Sequence, residues 1–146
     1  MQMLKPIMLI EDDSVDAMTV KRAMKELHVT NSMIHCLNGE EGLKYLTDPE
    51  TEKPFVILLD LNMPKMSGIE FLKTVKVYPE LKPIPIVVLT TSKERRDVQD
   101  SFELGAAGYM IKPVDYAKFT DVINTVMLYW RLSELPRQEL KLADAK

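Results

Sequence analysis

Residues 56–68 read VILLDLNMPKMSG, and the fold turns on how that stretch is taken. A run of branched apolar residues meets a carboxylate, Asp60, and a proline-containing loop follows, ending in Gly68. An apolar run this short and continuous suits a strand covered on both faces, as in a parallel sheet. Asp60 at its end is then either a loop acid or helix cap, or a reactive group held at the edge of a pocket.

Working outward, similar runs recur: PIMLI at 6–10, SMIHC at 32–36, IVVL at 86–89 and GYMI at 108–111. SMIHC is the weakest and reads as an edge strand. Helical spacing fills the intervals. Ala17, Val20, Met24 and Leu27 mark a first helix. Asn38 with Glu41 three residues on reads as a capping box, ahead of Leu43 and Leu46. Ile69, Leu72 and Val75 mark a third helix, stopped before Pro79, while Val98 and Phe102 mark a fourth, stopped at Gly105. Phe119, Val122, Ile123, Val126 and Trp130 mark a long fifth. Strand and helix therefore alternate five times, which predicts an α/β domain with a parallel sheet and right-handed crossovers.

The chain has 146 residues, 46% hydrophobic and 28% charged, enough for one domain with a substantial core and too apolar for disorder. We expect one domain over 4–135 and a polar C-terminal tail, 136–146, that frays. A net charge of −3 leaves no footprint for DNA. No apolar run approaches the roughly 20 residues that span a bilayer, and the N-terminus lacks a signal pattern, so a cytoplasmic protein with no membrane partner is expected. Cys36 is the only cysteine, which excludes a disulfide framework and reads as a small buried residue.

Polar residues collect where the strands end. The first strand runs into Glu11, Asp12 and Asp13, the third into Asp60, the fourth into Thr90, Thr91 and Ser92, and the fifth into Lys112. In an open parallel sheet that edge is where ligands bind. Neighbouring carboxylates repel, and Lys112 offsets only one charge. Mg2+ suits the remainder: it takes one or two carboxylates, keeps waters and bridges to phosphate oxygens. Carboxylate, metal, hydroxyl and ammonium in one small space make a phosphoryl-transfer site, with the carboxylate as nucleophile.

These motifs resemble the response-regulator receiver domain of two-component signalling over about residues 4–130. The resemblance rests on the acidic cluster, D-x-N-M-P-x-M-x-G from Asp60, T-T-S from Thr90, and Y-x-x-K-P from Tyr109, in that order. It implies a doubly wound five-stranded sheet of flavodoxin-like (βα)5 type, in strand order 2-1-3-4-5. By position, Asp60 matches the phosphoacceptor, Asp12 the direct Mg2+ ligand, and Glu11 the acid that reaches the metal through water. Asn62 matches the residue offering its backbone carbonyl to the metal. Thr90 matches the switch hydroxyl, Lys112 the lysine that pairs with the phosphoryl group, and Tyr109 the aromatic switch. The family's Lys-Pro bond, here Lys112–Pro113, is usually cis. TDPETEKPF, VVLTTSKERRDV and MLYWRL make the chain look most similar to single-domain regulators associated with phytochrome-type histidine kinases. The resemblance thus implies a histidine kinase partner and a phosphoacceptor switch rather than an enzyme, one that assists its own phosphorylation and dephosphorylation. The two positions that tune hydrolysis in the family hold Asn62 and Ser92, neither an acid nor a base.

Blander roles are expected elsewhere. Asp13 is a helix-start residue, Ser92 a cap for the fourth helix, and Lys93–Asp97 a solvated helix start or a partner-specific surface. His28 and His35 stand apart from other ligand types, and Met8, Met24 and Met63 are packing residues. Met127, Leu128, Tyr129, Trp130, Leu132 and Leu135 put apolar groups on more than one face of the last helix, which suggests a homodimer with the fourth helix and fifth strand. Two other functions share the fold. A Mg2+-dependent phosphatase with an aspartate nucleophile would want a second aspartate where Asn62 stands. A flavodoxin-like cofactor binder would want a hydroxyl- and glycine-rich loop where Glu11, Asp12 and Asp13 stand.

Overall fold

Val56–Leu59 forms the central strand, β3, and all four of its side chains are buried. The computed structural model describes residues 5–132, with the side chains of 131 and 132 excepted. The chain runs β1 (Ile7–Ile10), α1 (Ser14–Glu26), β2 (Met33–Cys36), α2 (Gly39–Thr47), β3, α3 (Gly68–Val75), a 3-10 turn (Pro79–Leu81), β4 (Ile86–Thr90), α4 (Arg95–Glu103), β5 (Gly108–Ile111) and α5 (Tyr116–Leu132). The strands are parallel in the order β2-β1-β3-β4-β5, as expected. The proposed boundary at 135 and the tail lie outside the described residues.

Successive side chains of a strand face opposite ways, so each strand feeds two cores. Ile7, Leu9, Val56, Leu58, Val87 and Leu89 pack against α1 and α5 through Val20, Met24, Phe119 and Ile123. Met8, Ile10, Ile57, Leu59 and Val88 pack against the other layer, through Leu46, Phe71 and Leu72. Burying each such side chain contributes roughly 1.5–3 kcal/mol. This is why the central strands carry no polar residue until they end. Both edge strands are only partly buried, β5 throughout and β2 up to Cys36. Met8 and Met24 are core, and Cys36 is buried, its thiol pushed up to about 11 by burial and by the charge of Glu41.

Local signals account for the helix ends. The carboxylate of Asp13 caps α1, accepting from the N–H groups of Val15 and Asp16. His28 follows α1 with φ +59°, the left-handed conformation more often given to glycine. Ser67 and Glu70 form a reciprocal capping box at α3. Gly105, with φ +99°, ends α4 as expected.

Four expectations change. Asn38 does accept from the Glu41 N–H, but Glu41 reaches back to Leu37 N–H rather than to Asn38, so the box is displaced by one residue. Phe102 is 49% exposed, while Ser101 is fully buried, because α4 turns a different face to the sheet than the Val98/Phe102 spacing implied. The N-cap of α4 is Glu94, with no side-chain cap bond; Ser92 stands ahead of it, its hydroxyl accepting from Glu94 N–H and donating to Asp97. The described peptide bonds include no cis bond, so Lys112–Pro113 is trans, the isomer X-Pro bonds favour by about 0.5–1 kcal/mol.

Candidate functional site

β1 and β3 are neighbours, and the crossover after β1 runs to β2 on one side while the crossover after β3 runs to β4 on the other. The crevice at the C-terminal ends of β1 and β3 is therefore the switch point of the sheet. A cleft of about 680 Å³ opens there, lined by Glu11, Asp12, Asp60, Asn62, Thr91 and Lys112 together with the start of α1 from Asp13 to Asp16.

Asp60 is held firmly. Its N–H donates to the Ile10 carbonyl across the sheet, and its Oδ1 accepts from Leu61 N–H at 2.8 Å. The loop then folds back so that Gly68 N–H meets the Leu61 carbonyl at 3.0 Å. A Cβ on Gly68 would lie 2.5 Å from the Asp60 carbonyl oxygen, so this position must be glycine for space rather than for φ. Lys65 inside the loop has φ +63°, a strained value for a side-chain-bearing residue. At the neighbouring strand end, His35 Nε2 contacts the Glu11 carbonyl at 2.8 Å, which gives that histidine a structural job.

One oxygen from each of Glu11, Asp12 and Asp60 falls within a 4.8 Å group. Glu11 and Asp60 are buried and Asp12 is exposed. The donors are all hard oxygens, with one group open to water, so the set fits a small divalent cation such as Mg2+. Burial pushes the Glu11 carboxyl up to about 7, and the charge of Asp60 adds to this, while Lys112 and the Asp13 N–H oppose it. The trio thus carries a charge strain that a cation would relieve.

Lys112 enters from β5. Its Nζ is 2.6 Å from Glu11 Oε1, 2.8 Å from Asp16 Oδ2 and 3.8 Å from Asp60 Oδ2. Burial works against its charge, but hydrogen bonds to Asp16 and Glu11 and the nearby carboxylates outweigh it, so the ammonium is held more firmly protonated than usual. Asp16 was not expected here. It lies one turn before the buried Val20, on the side of α1 that faces the sheet. That spacing is the signal by which it was findable.

Thr90 and Tyr109 stand back from the cleft. Thr90 is fully buried, and its Oγ1 accepts a long bond, 3.4 Å, from Ser92 N–H, while Thr91 lines the cleft in its place. The Thr90 carbonyl accepts from Lys112 N–H at 2.7 Å, so hydroxyl and ammonium hang from adjacent strands of one ladder. Tyr109 is half-buried on β5, and its hydroxyl donates to the Ser92 carbonyl at 3.0 Å, tying β5 to the β4–α4 loop.

The chain as a whole is similar to known proteins. The family described as response regulator receiver domain matches residues 7–124. Response regulator Rcp1 of Synechocystis is 33% identical over 130 residues, covering 86% of this chain and 88% of its own length. The crystal structure of the phosphorylated cyanobacterial phytochrome response regulator RcpA superposes with a TM-score of 0.84 at 31% identity, over 90% of this chain and 98% of that one. The Mn(2+)-bound form of Rcp1 gives a TM-score of 0.83 at 33% identity, over 90% of this chain and 99% of that one. Among the described residues, no helix is long and apolar enough to cross a membrane.

Proposed function

The chain belongs to the response-regulator receiver family of two-component signalling, and from that premise we propose that Asp60 is its phosphoacceptor. The observation that carries this reading is the placement of Asp60: at the end of β3, 7% exposed, 3.8 Å from an ammonium and grouped with two further carboxylates. In the reaction, an Asp60 oxygen forms a bond to phosphorus while the phosphorus–nitrogen bond to the kinase histidine breaks, and the imidazole leaves. Glu11, Asp12, Asp60 and the Asn62 carbonyl would hold Mg2+, which when bound offsets the negative charge gathered there. Lys112 neutralises the phosphoryl oxygens, and Asp60 stays oriented by Leu61 N–H.

Phosphorylation replaces the single carboxylate charge of Asp60 with a phosphoryl group carrying nearly two, at a buried strand end. Thr90 then turns its hydroxyl toward the phosphoryl group, its long bond from Ser92 being a weak competitor. Ser92 is also the partner of Tyr109, so the loop, Tyr109 and α4 respond together. α4 is lightly anchored: it has no side-chain cap, its first turn sets Arg95 and Arg96 against the helix dipole with Asp97 alone favouring it, and its fully buried residue is a serine. The switched surface is accordingly α4, β5 and α5, a population shift between two packings.

The kinase partner would be of phytochrome type, as the kinship with the phytochrome response regulator RcpA suggests, in the cytoplasm. Phe102 on α4 and Leu128 and Tyr129 on α5 are exposed and support a second copy of the chain on this surface. Leu135 and the side chain of Leu132 lie outside the described residues. Sedimentation that stays monomeric at all concentrations, phosphorylated or not, would remove the dimer.

The test of the central reading is intact mass after incubation with acetyl phosphate and Mg2+. One phosphoryl adduct is expected, absent in Asp60→Asn. An unchanged mass with several donors, together with no binding of beryllofluoride, would overturn it.

A further inference from the structure

The cleft contains one charge that the phosphoacceptor reading does not use. An ammonium has three N–H donors. Lys112 spends two of them on Glu11 at 2.6 Å and Asp16 at 2.8 Å, and stands beyond hydrogen-bond reach of Asp60 at 3.8 Å. Glu11 belongs to the carboxylate trio, whereas Asp16 does not. Asp16 sits instead on the first turn of α1, its N–H fixed to the Asp13 carboxylate at 3.0 Å. It also borders the same cleft as Asp60, Asn62 and Thr91.

We propose that Asp16 is a positioning residue that competes with the phosphoryl group on Asp60 for Lys112, and so sets how tightly the phosphorylated state is held. This rests on the phosphoacceptor reading above. Two effects act in the same direction. Asp16 is a counter-ion that a phosphoryl group must displace from Lys112. It is also a negative charge on the wall of the space the phosphoryl group enters, so it repels that group and any anionic donor. The cap holds the main chain of Asp16 on α1, so a phosphoryl group on Asp60 has to draw Lys112 away from the Asp16 carboxylate. Toward a cation the sign reverses, since a further carboxylate beside the trio attracts it.

The test compares wild type, Asp16→Asn and Asp16→Glu by calorimetric titration, first with Mg2+ alone and then with beryllofluoride in saturating Mg2+. Asp16→Asn keeps the shape and loses the charge. It is expected to bind beryllofluoride about fivefold tighter and Mg2+ about twofold more weakly, as charge removal at a partly exposed site allows. Asp16→Glu keeps the charge and is expected to restore wild-type behaviour in both titrations. A purely structural role would weaken both affinities together. If wild type binds beryllofluoride and Asp16→Asn binds it no tighter, the role of Asp16 is overturned while Asp60 stands. If wild type itself fails to bind beryllofluoride, both readings are withdrawn.

Discussion

Lys112 and Glu11 form a buried ion pair, 2.6 Å between Nζ and Oε1, across a sequence separation of 101 residues. The pair closes the end of the outer strand β5 onto the end of β1, over the cleft that holds Asp60. Removing one member of such a pair leaves the other charged and desolvated, at a cost of about 3–5 kcal/mol. Lys112→Met should therefore lower stability by about that amount at pH 8 without Mg2+. Added Mg2+ should recover part of the loss. Urea unfolding with and without the metal measures both.

Glu11 gives the metal-free protein a pH dependence of defined sign. Its carboxyl is raised from 4.5 to about 7 by burial and then by the charge of Asp60. Between those values the folded chain holds a proton that the unfolded chain has released. The stability it contributes is complete below 4.5 and is lost as the pH rises through about 7. A loss on the order of 2 kcal/mol is expected across that window. The urea midpoint should fall from pH 5 to pH 8 in wild type and fall less in Glu11→Gln. Mg2+ affinity should rise over the same interval, because the ion competes with that proton.

Asp60→Asn should do more than abolish the phosphoryl adduct. It removes one of the charges that raise Glu11, so the metal-free protein should gain about 1 kcal/mol at pH 8. Thermal unfolding without Mg2+ tests this, and a loss of stability would show that Asp60 is held by attractions stronger than the repulsion.

Gly68→Ala should damage fold and site together. The new methyl group would meet backbone, the Asp60 carbonyl at 2.5 Å and Leu61 Cα at 2.8 Å, neither of which can rotate away. A destabilisation of about 1–3 kcal/mol is expected, with weaker Mg2+ binding because the Asn62 segment must shift.

Ser101→Ala should stabilise. The Ser101 hydroxyl is fully buried on α4 without a hydrogen-bond partner. Deleting it removes a desolvated polar group, for a gain of about 1 kcal/mol. The firmer seat of α4 should also change the response to phosphorylation, read as altered hydrogen exchange in α4 on adding beryllofluoride.

The sheet and most of the site were legible in the sequence for one reason. In a parallel sheet, apolar runs mark the strands and the first polar residue after each run lands on a common edge. Glu11, Asp12, Asp60 and Lys112 meet by that rule alone. Asp16 escaped it because it sits on a helix, and its partner lies 96 residues away. Phe102 misled because an i, i+4 apolar pair says nothing about which helix face has room, and the fully buried position on α4 is taken by the small Ser101. Glu41 was right in type but bonded one residue early, a difference of side-chain reach that spacing cannot resolve. The withdrawn position of Thr90 was likewise illegible: adjacent residues leave a strand end in opposite directions, and only the register decides which one faces the cleft.

The 2.7 Å bond from Lys112 N–H to the Thr90 carbonyl couples two groups that have to answer the same event. Their main chains are fastened to one another, so neither strand end can advance alone. What is left free is rotation about side-chain bonds, a motion that needs no unzipping of the sheet and is intrinsically fast. The delay in such a switch would then reside downstream, in the reseating of α4, and substitutions there could retune its tempo while leaving the chemistry at Asp60 untouched.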